Sequence, residues 1–184
     1  MFDTLTLASL PEEDEALRPA IRAIADQIAA ELPGDERARS WNAVNAAFSR
    51  KLGEAGFLGM ALPRRYGGQE KGPFARFVVV EELLSIGAPV AAHWIGDRQS
   101  GPLILNFGTE EQREFYLPRI SRGEVTFCIG MSEPGSGSDL ASVRTRADRT
   151  DRGWVVNGQK IWTTNAMHAD YMIALLRTSG TPEN

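Results

Sequence analysis

The residues best suited to chemistry lie in one run, Cys128 to Asp139, with the order Cys-Ile-Gly-Met-Ser-Glu-Pro-Gly-Ser-Gly-Ser-Asp. The run begins as a strand and breaks at Glu133-Pro134. Gly135 and Gly137 then alternate with Ser136 and Ser138, and glycine admits backbone angles that let successive N–H groups turn toward one point. Several N–H groups and two hydroxyls meeting at one point bind an anion, usually a phosphate. A plain turn has the same composition. A second run, Trp154 to Asn165, reads Trp-Val-Val-Asn-Gly-Gln-Lys-Ile-Trp-Thr-Thr-Asn. It predicts two short strands about the hairpin dipeptide Asn157-Gly158, with Trp162-Thr163-Thr164 ending the second arm. An indole and two hydroxyls at a strand end can line a flat, polar-edged ligand. A core tryptophan between strand threonines is the plainer alternative.

Outside these runs the chemistry is sparse. Cys128 is the single cysteine and neither histidine lies near it in sequence, so it reads as a small buried strand residue rather than a nucleophile. His93 and His168 have no partner at metal-ligand or triad spacing, and no metal site is expected. Glu81, Glu82, Glu110 and Glu133 read as surface or structural carboxylates. One cysteine rules out an internal disulfide framework and fits a reducing compartment. The net charge of −4 and the lack of a basic run argue against a nucleic-acid surface. Met1 to Leu7 lacks the basic region and apolar run of a secretory leader, and no apolar run is long enough to span a bilayer. A cytoplasmic protein is expected.

Two kinds of element must position these runs. The 184 residues suffice for one ordinary domain, or one and part of another. Ser9 is a candidate cap for a helix opening with acidic Glu12 to Glu15, which suits the positive helix end. Leu17, Ile21, Ile24, Ile28 and Leu32 form its apolar face. Pro19 should kink or restart it, and Pro33-Gly34 should end it. A second helix is predicted from about 36 to 55, with Trp41, Val44, Phe48 and Leu52 inward and Gly56 as terminator. After a connector over 56–68, a helix is predicted over 73–86, although Val78 to Val80 locally favour strand. Another spans 88–107, broken near Gly101-Pro102, with His93, Trp94, Asp97, Arg98 and Gln99 as its solvated polar face. Thr109 and Gln112 have capping-box spacing for a further helix, which ends at 121–124. Beyond Glu124 the pattern turns to strands over 125–131, 143–147, 154–156, 160–164 and 171–176, expected to be antiparallel. The fold class is α+β, an all-α domain over residues 1–124 followed by a β segment over 125–184.

Taken together, Ser-Glu-Pro-Gly-Ser-Gly-Ser-Asp and the later Asn-Gly-Gln-Lys-Ile-Trp-Thr-Thr-Asn resemble the flavin-binding signature of the acyl-CoA dehydrogenases. The usual family form has Thr at Ser132, Ala at Ser136 and Ile at Thr163. The Gly-Phe-Leu-Gly…Pro…Tyr-Gly-Gly segment over 56–68 and Gly-Thr-Glu-Glu-Gln…Tyr-Leu-Pro…Gly-Glu over 108–124 are also similar to the family. The resemblance implies that 125–184 starts an antiparallel, barrel-like middle domain. It further implies that the sequence covers an N-terminal portion, lacking a C-terminal helical domain.

The resemblance also implies FAD as cofactor, lying along Ile129, Met131, Ser132, Gly137, Ser138, Trp162, Thr163 and Thr164. Ser132 would donate to the flavin pyrimidine edge, and Gly137 and Ser138 would meet the pyrophosphate. Ser138 would also touch the acyl-CoA substrate, Trp162 would pack on the ring system, and Thr164 would bond near N5. The implied reaction is α,β-dehydrogenation of an acyl-CoA to a 2-enoyl-CoA, with electrons passed to an electron-transfer flavoprotein. The family's catalytic base is a glutamate of the C-terminal helical domain, and no residue here matches it. On the same resemblance Arg98 is a candidate for touching a polar acyl group, and a homo- or hetero-oligomer is expected. Two rival readings keep the resemblance: a non-catalytic subunit of a heteromeric dehydrogenase, and an oxygen-using oxidase or monooxygenase.

Overall fold

The computed structural model describes residues 9–181, apart from the side chains of Ile28 and Ala29. The stretch Met1 to Leu7, read above for a leader, lies outside that span. Among the described residues the α-helices are α1 (Glu12–Glu15), α2 (Arg18–Ala29), α3 (Gly34–Arg39), α4 (Ala46–Glu54), α5 (Pro73–Ser85), α6 (Ala91–Ile95), α7 (Gly101–Phe107) and α8 (Glu110–Ser121). Four strands follow: β1 (Phe127–Gly130), β2 (Arg146–Thr150), β3 (Gly153–Asn157) and β4 (Tyr171–Ala174). The expected order, helices and then strands, is what forms.

Local chemistry explains most helix limits. The chain breaks after Glu15 and restarts as α2, with Pro19 its second residue, where the missing N–H cannot carry α1 onward. Pro11, not Ser9, occupies the first N-cap, and it offers no side-chain cap. Asn45 caps α4, its Oδ1 accepting from Phe48 N at 2.9 Å. This cap splits the long helix expected over 36–55 into α3, a 3₁₀ turn at Ser40–Asn42, and α4. The Thr109 capping box forms in full. Thr109 N donates to Gln112 Oε1 at 2.9 Å, and Gln112 N to Thr109 Oγ1 at 3.3 Å. Val78 to Val80 are helical, because Ala75, Val78, Val79, Glu82 and Leu83 place one buried stripe at helical spacing.

Between α6 and α7 the chain runs on through a single π turn, Gly96–Ser100, just before the expected break at Gly101-Pro102. The polar face predicted there is only half solvated. Arg98 and Gln99 are exposed, but His93 and Asp97 are buried. Asp97 Oδ1 accepts from Gly59 N at 2.7 Å, and burial pushes its carboxyl up. His93 Nδ1 lies 2.9 Å from Ser49 Oγ, which also donates to Asn45 O at 3.2 Å. Burial lowers the His93 imidazole to about 4.

Two apolar clusters hold the molecule. The first joins α2, α4 and α5 through Ile21, Phe48, Leu52, Val78, Leu83 and Val90. At its edge Glu82 takes hydrogen bonds from Arg18 Nη1 at 2.7 Å and from the Arg22 guanidinium, which hold its carboxyl below the usual range. The second cluster joins the helices to the strands: Leu62, Tyr66, Ile95, Ile104, Leu117 and Ile120 meet Phe127 of β1, with Tyr171 and Ile173 of β4 against them. Tyr116, Phe127 and Tyr171 lie within 5.8 Å of one another, centroid to centroid, in tilted and edge-on contacts.

The strands differ from expectation in three ways. The hairpin is β2–β3, antiparallel with Thr150 opposite Gly153, so Asp151 and Arg152 make the turn rather than Asn157-Gly158. Residues 160–164 form no strand, and β2 starts at Arg146 rather than Val143. β1 and β4 pair in parallel, Phe127 opposite Tyr171. Hydrophobic alternation marks a strand but carries no pairing direction, and parallel neighbours need only a long crossover, here everything between 131 and 170. Gly158 has another task. At φ +148° its Cα sits so close to Thr145 that a Cβ there would meet Thr145 Oγ1 at 2.4 Å and Thr145 Cα at 2.6 Å.

Two expected outcomes follow from these buried contacts. Above pH 6.5, neutral His93 contributes its full stability. As pH falls toward 4 the unfolded chain takes up a proton that folded His93 refuses, and stability is lost, by about 2 kcal/mol at pH 5. The urea midpoint should therefore drop between pH 7 and pH 5, and His93→Leu should flatten that drop; equal slopes in both proteins would contradict it. Gly158→Ala should cost about 1–3 kcal/mol in urea unfolding. Gly135→Ala, where an added Cβ meets nothing within 4 Å, should stay within about 0.5 kcal/mol of the parent.

Candidate functional site

The two motif runs meet at the C-terminal end of β1. Beyond Gly130 the chain enters Met131 and Ser132, and Ser132 O accepts from Ile161 N at 2.9 Å. That bond sets the segment leading to Trp162 beside the segment carrying Ser132. From Glu133 a tight turn over Pro134-Gly135 is closed by Glu133 N to Ser136 O at 2.7 Å and Ser136 N to Glu133 O at 3.1 Å. Ser136 Oγ then donates to Asp139 O at 2.6 Å, shaping the rest of the loop. Asn165 Nδ2 donates to Ala91 O at 3.2 Å and ties the end of the second run to α6.

Under this loop lies a buried carboxylate. Glu133, 6 % exposed, accepts from Arg144 N at 2.6 Å, Thr145 N at 2.9 Å and Lys160 Nζ at 2.8 Å. Burial pulls the carboxyl up, but the hydrogen bonds from Lys160, Thr145 and Arg144 outweigh it and hold Glu133 at about 2. Lys160 Nζ also donates to Met131 O at 3.0 Å. The structural role read for Glu133 is therefore realised, with a partner that sequence reasoning missed. Lys160 opens the strand predicted over 160–164, 27 residues from Glu133, and no spacing rule links the two.

The predicted site residues fall into two groups. Ile129 is half-buried in β1, while Met131 and the half-buried Ser132 follow it at the strand end. Trp162 is 86 % exposed, which removes the core-tryptophan alternative. Its φ of +56° is costly for a bulky side chain and marks a position held by its surroundings. Thr163 is half-buried and Thr164 exposed. Among the described residues the N–H and hydroxyl of Ser132, Thr163 and Thr164 have no hydrogen-bond partner. These residues are neighbours through the Ile161–Ser132 bond. Gly137 and Ser138 stand apart, exposed on the loop, and their N–H groups are likewise unengaged among the described residues.

Arg98 lies elsewhere, its guanidinium 5.0 Å from the Trp94 ring beside a pocket of about 310 Å³ lined by Phe74 and Phe77. A pocket of about 360 Å³ adjoins the loop on the side of Pro134, Ser142, Arg144 and Gln159, and neither Ser132 nor Trp162 lines it. Cys128 is buried and its thiol is pushed up by burial, which suits an inert strand residue. No helix among the described residues is long and apolar enough to cross a membrane.

The chemistry of these groups fits a flavin. An exposed indole offers a flat stacking face, Ser132 and Thr164 have donors free for a polar-edged ligand, and the open N–H groups of Gly137 and Ser138 suit an anion. Residues 11–124 match the acyl-CoA dehydrogenase N-terminal domain, and residues 128–184 match the acyl-CoA dehydrogenase middle domain. The acyl-CoA dehydrogenase FadE26 of Mycobacterium tuberculosis is 41% identical over 129 residues, 70% of this chain and 32% of that protein. The ChsE4–ChsE5 complex of Mycobacterium tuberculosis superposes with a TM-score of 0.81 at 35% identity, covering 97% of this chain and 46% of that one. A glutaryl-CoA dehydrogenase from Mycobacterium smegmatis in complex with FADH2 gives 0.75 at 27% identity, covering 92% and 44%. The chain thus spans less than half the length of these relatives. With both its helical and its strand portion matched, the chain belongs to the acyl-CoA dehydrogenase family.

Proposed function

We propose that this chain is the N-terminal portion of a FAD-dependent acyl-CoA dehydrogenase that forms a 2-enoyl-CoA from an acyl-CoA thioester. One observation carries the reading: the bond from Ile161 N to Ser132 O brings the two signature runs together and leaves the donors of Ser132 and Thr164, with the Trp162 ring, free for a ligand. Bound FAD supplies the hydride acceptor. The protein's part is to hold it. Ser132 donates to the pyrimidine edge, Trp162 packs on the ring, Thr164 donates near N5, and Gly137 and Ser138 meet the pyrophosphate. Ile129, Met131 and Thr163 lie along the cofactor, and Ser138 also contacts acyl-CoA.

The domain division we assign is 1–124 and 125–184, in a cytoplasmic oligomer that passes electrons to an electron-transfer flavoprotein. The proton-abstracting carboxylate lies outside these residues. Glu82 and Glu133 are each tied to cations, and Glu110 accepts from Tyr66 Oη at 2.7 Å. A second reading is a subunit of a heteromeric dehydrogenase whose partner carries the base. The similarity to a chain of the two-protein ChsE4–ChsE5 complex favours it.

The 184-residue polypeptide should bind FAD weakly, and Trp162→Ala should weaken that binding about tenfold, in line with the 1–3 kcal/mol typical of stacking on an aromatic side chain. Anaerobic addition of acyl-CoAs of different chain lengths should leave its flavin oxidised. Together with a polypeptide supplying the rest of the family's length, it should bleach. Enzyme-rate bleaching by residues 1–184 alone would place a base within them, and no FAD binding in either preparation would overturn the reading.

A further inference from the structure

We propose that Lys160 is a positioning residue for the cofactor, aiming the Ser132 N–H at the flavin pyrimidine edge through the Met131 carbonyl, with Glu133 as the anchor that holds it. The proposal rests on the cofactor reading above. Its geometry does not. The Met131–Ser132 peptide is planar and trans, so its C=O and N–H point in opposite directions. Lys160 Nζ takes the Met131 O at 3.0 Å and thereby fixes where the Ser132 N–H points. The following peptide is fixed independently, by Ile161 N on Ser132 O at 2.9 Å. Ser132 is clamped on both sides while its own N–H is left without a partner among the described residues.

The clamp is built for precision. An ammonium has three donors on a flexible stem and holds no direction unless it is itself restrained. Here the Lys160 side chain is 9 % exposed, and its second bond, 2.8 Å to Glu133 Oε1, fixes it. Glu133 is in turn pinned by the N–H groups of Arg144 and Thr145. A cation on the Met131 oxygen also polarises the peptide, which strengthens the opposite N–H as a donor. A reduced flavin carries more negative charge at its pyrimidine edge than an oxidised one, so a better donor there favours the reduced form. A merely structural lysine would affect both forms alike.

The test uses Lys160→Met, which keeps length and removes the donor. The double variant Lys160→Met/Glu133→Gln is tested beside it, so that no buried carboxylate is left without its cation. In the FAD-free protein the Ser132 amide resonance should shift and its exchange with solvent should change in both variants, while amides of α2 and α5 stay in place. With FAD present, the ratio of affinities for reduced and oxidised FAD should fall about tenfold, equivalent to a potential about 30 mV more negative. If the parent binds no FAD, alone or together with a polypeptide supplying the rest of the family's length, the cofactor reading fails and this proposal with it. If the parent binds FAD and both folded variants keep its affinity ratio and its Ser132 resonance, the positioning role alone is overturned.

Discussion

A carboxylate removed from water must be surrounded by donors or give up its charge, and the strand half of this protein is arranged around that requirement at Glu133. Three stretches far apart in the chain, 131–133, 144–145 and 160–161, converge because each contributes a donor to this carboxylate or a bond beside it. The result is ordered backbone without regular secondary structure. The segment 158–165 belongs to no strand, yet it is fixed by Lys160 at one end and by the Asn165 bond to α6 at the other. Loops held in this way can present side chains such as Trp162 to solvent at an unfavourable φ.

The helical half was legible in the sequence because its signals are local. The Thr109 and Gln112 cap lies within one turn, and the buried stripe of α5 repeats within its own length. The misses have a common cause, which is that the deciding contact is distant. His93 and Asp97 look like a solvated face until Ser49 and Gly59 are placed beside them, 44 and 38 residues away. Asn157-Gly158 looks like a turn because that dipeptide usually is one, but Gly158 is there to clear Thr145. The parallel pairing of β1 and β4 puts Phe127 beside Tyr171 and Ile129 beside Ile173 in the second apolar cluster, a contact between stretches far apart in the chain. The motif residues were visible by type and order; the Lys160–Glu133 pair that supports them was not.

The division of the interior into two clusters has a consequence for how the molecule opens. The first cluster draws on residues between Leu10 and Val90, all from the helical half. The second needs both halves, since Phe127, Tyr171 and Ile173 complete it against α6, α7 and α8. Peeling β1 and β4 away therefore exposes the second cluster and leaves the first closed. β2 and β3 are tied in by little apolar surface, since Trp154, Val155 and Val156 are all half exposed or more. Amide exchange should then be graded along the chain, fastest in the β2–β3 ribbon, slower in β1 and β4, and slowest in α2, α4 and α5, so that the protein breathes from its strand end while its helical end keeps time with global unfolding.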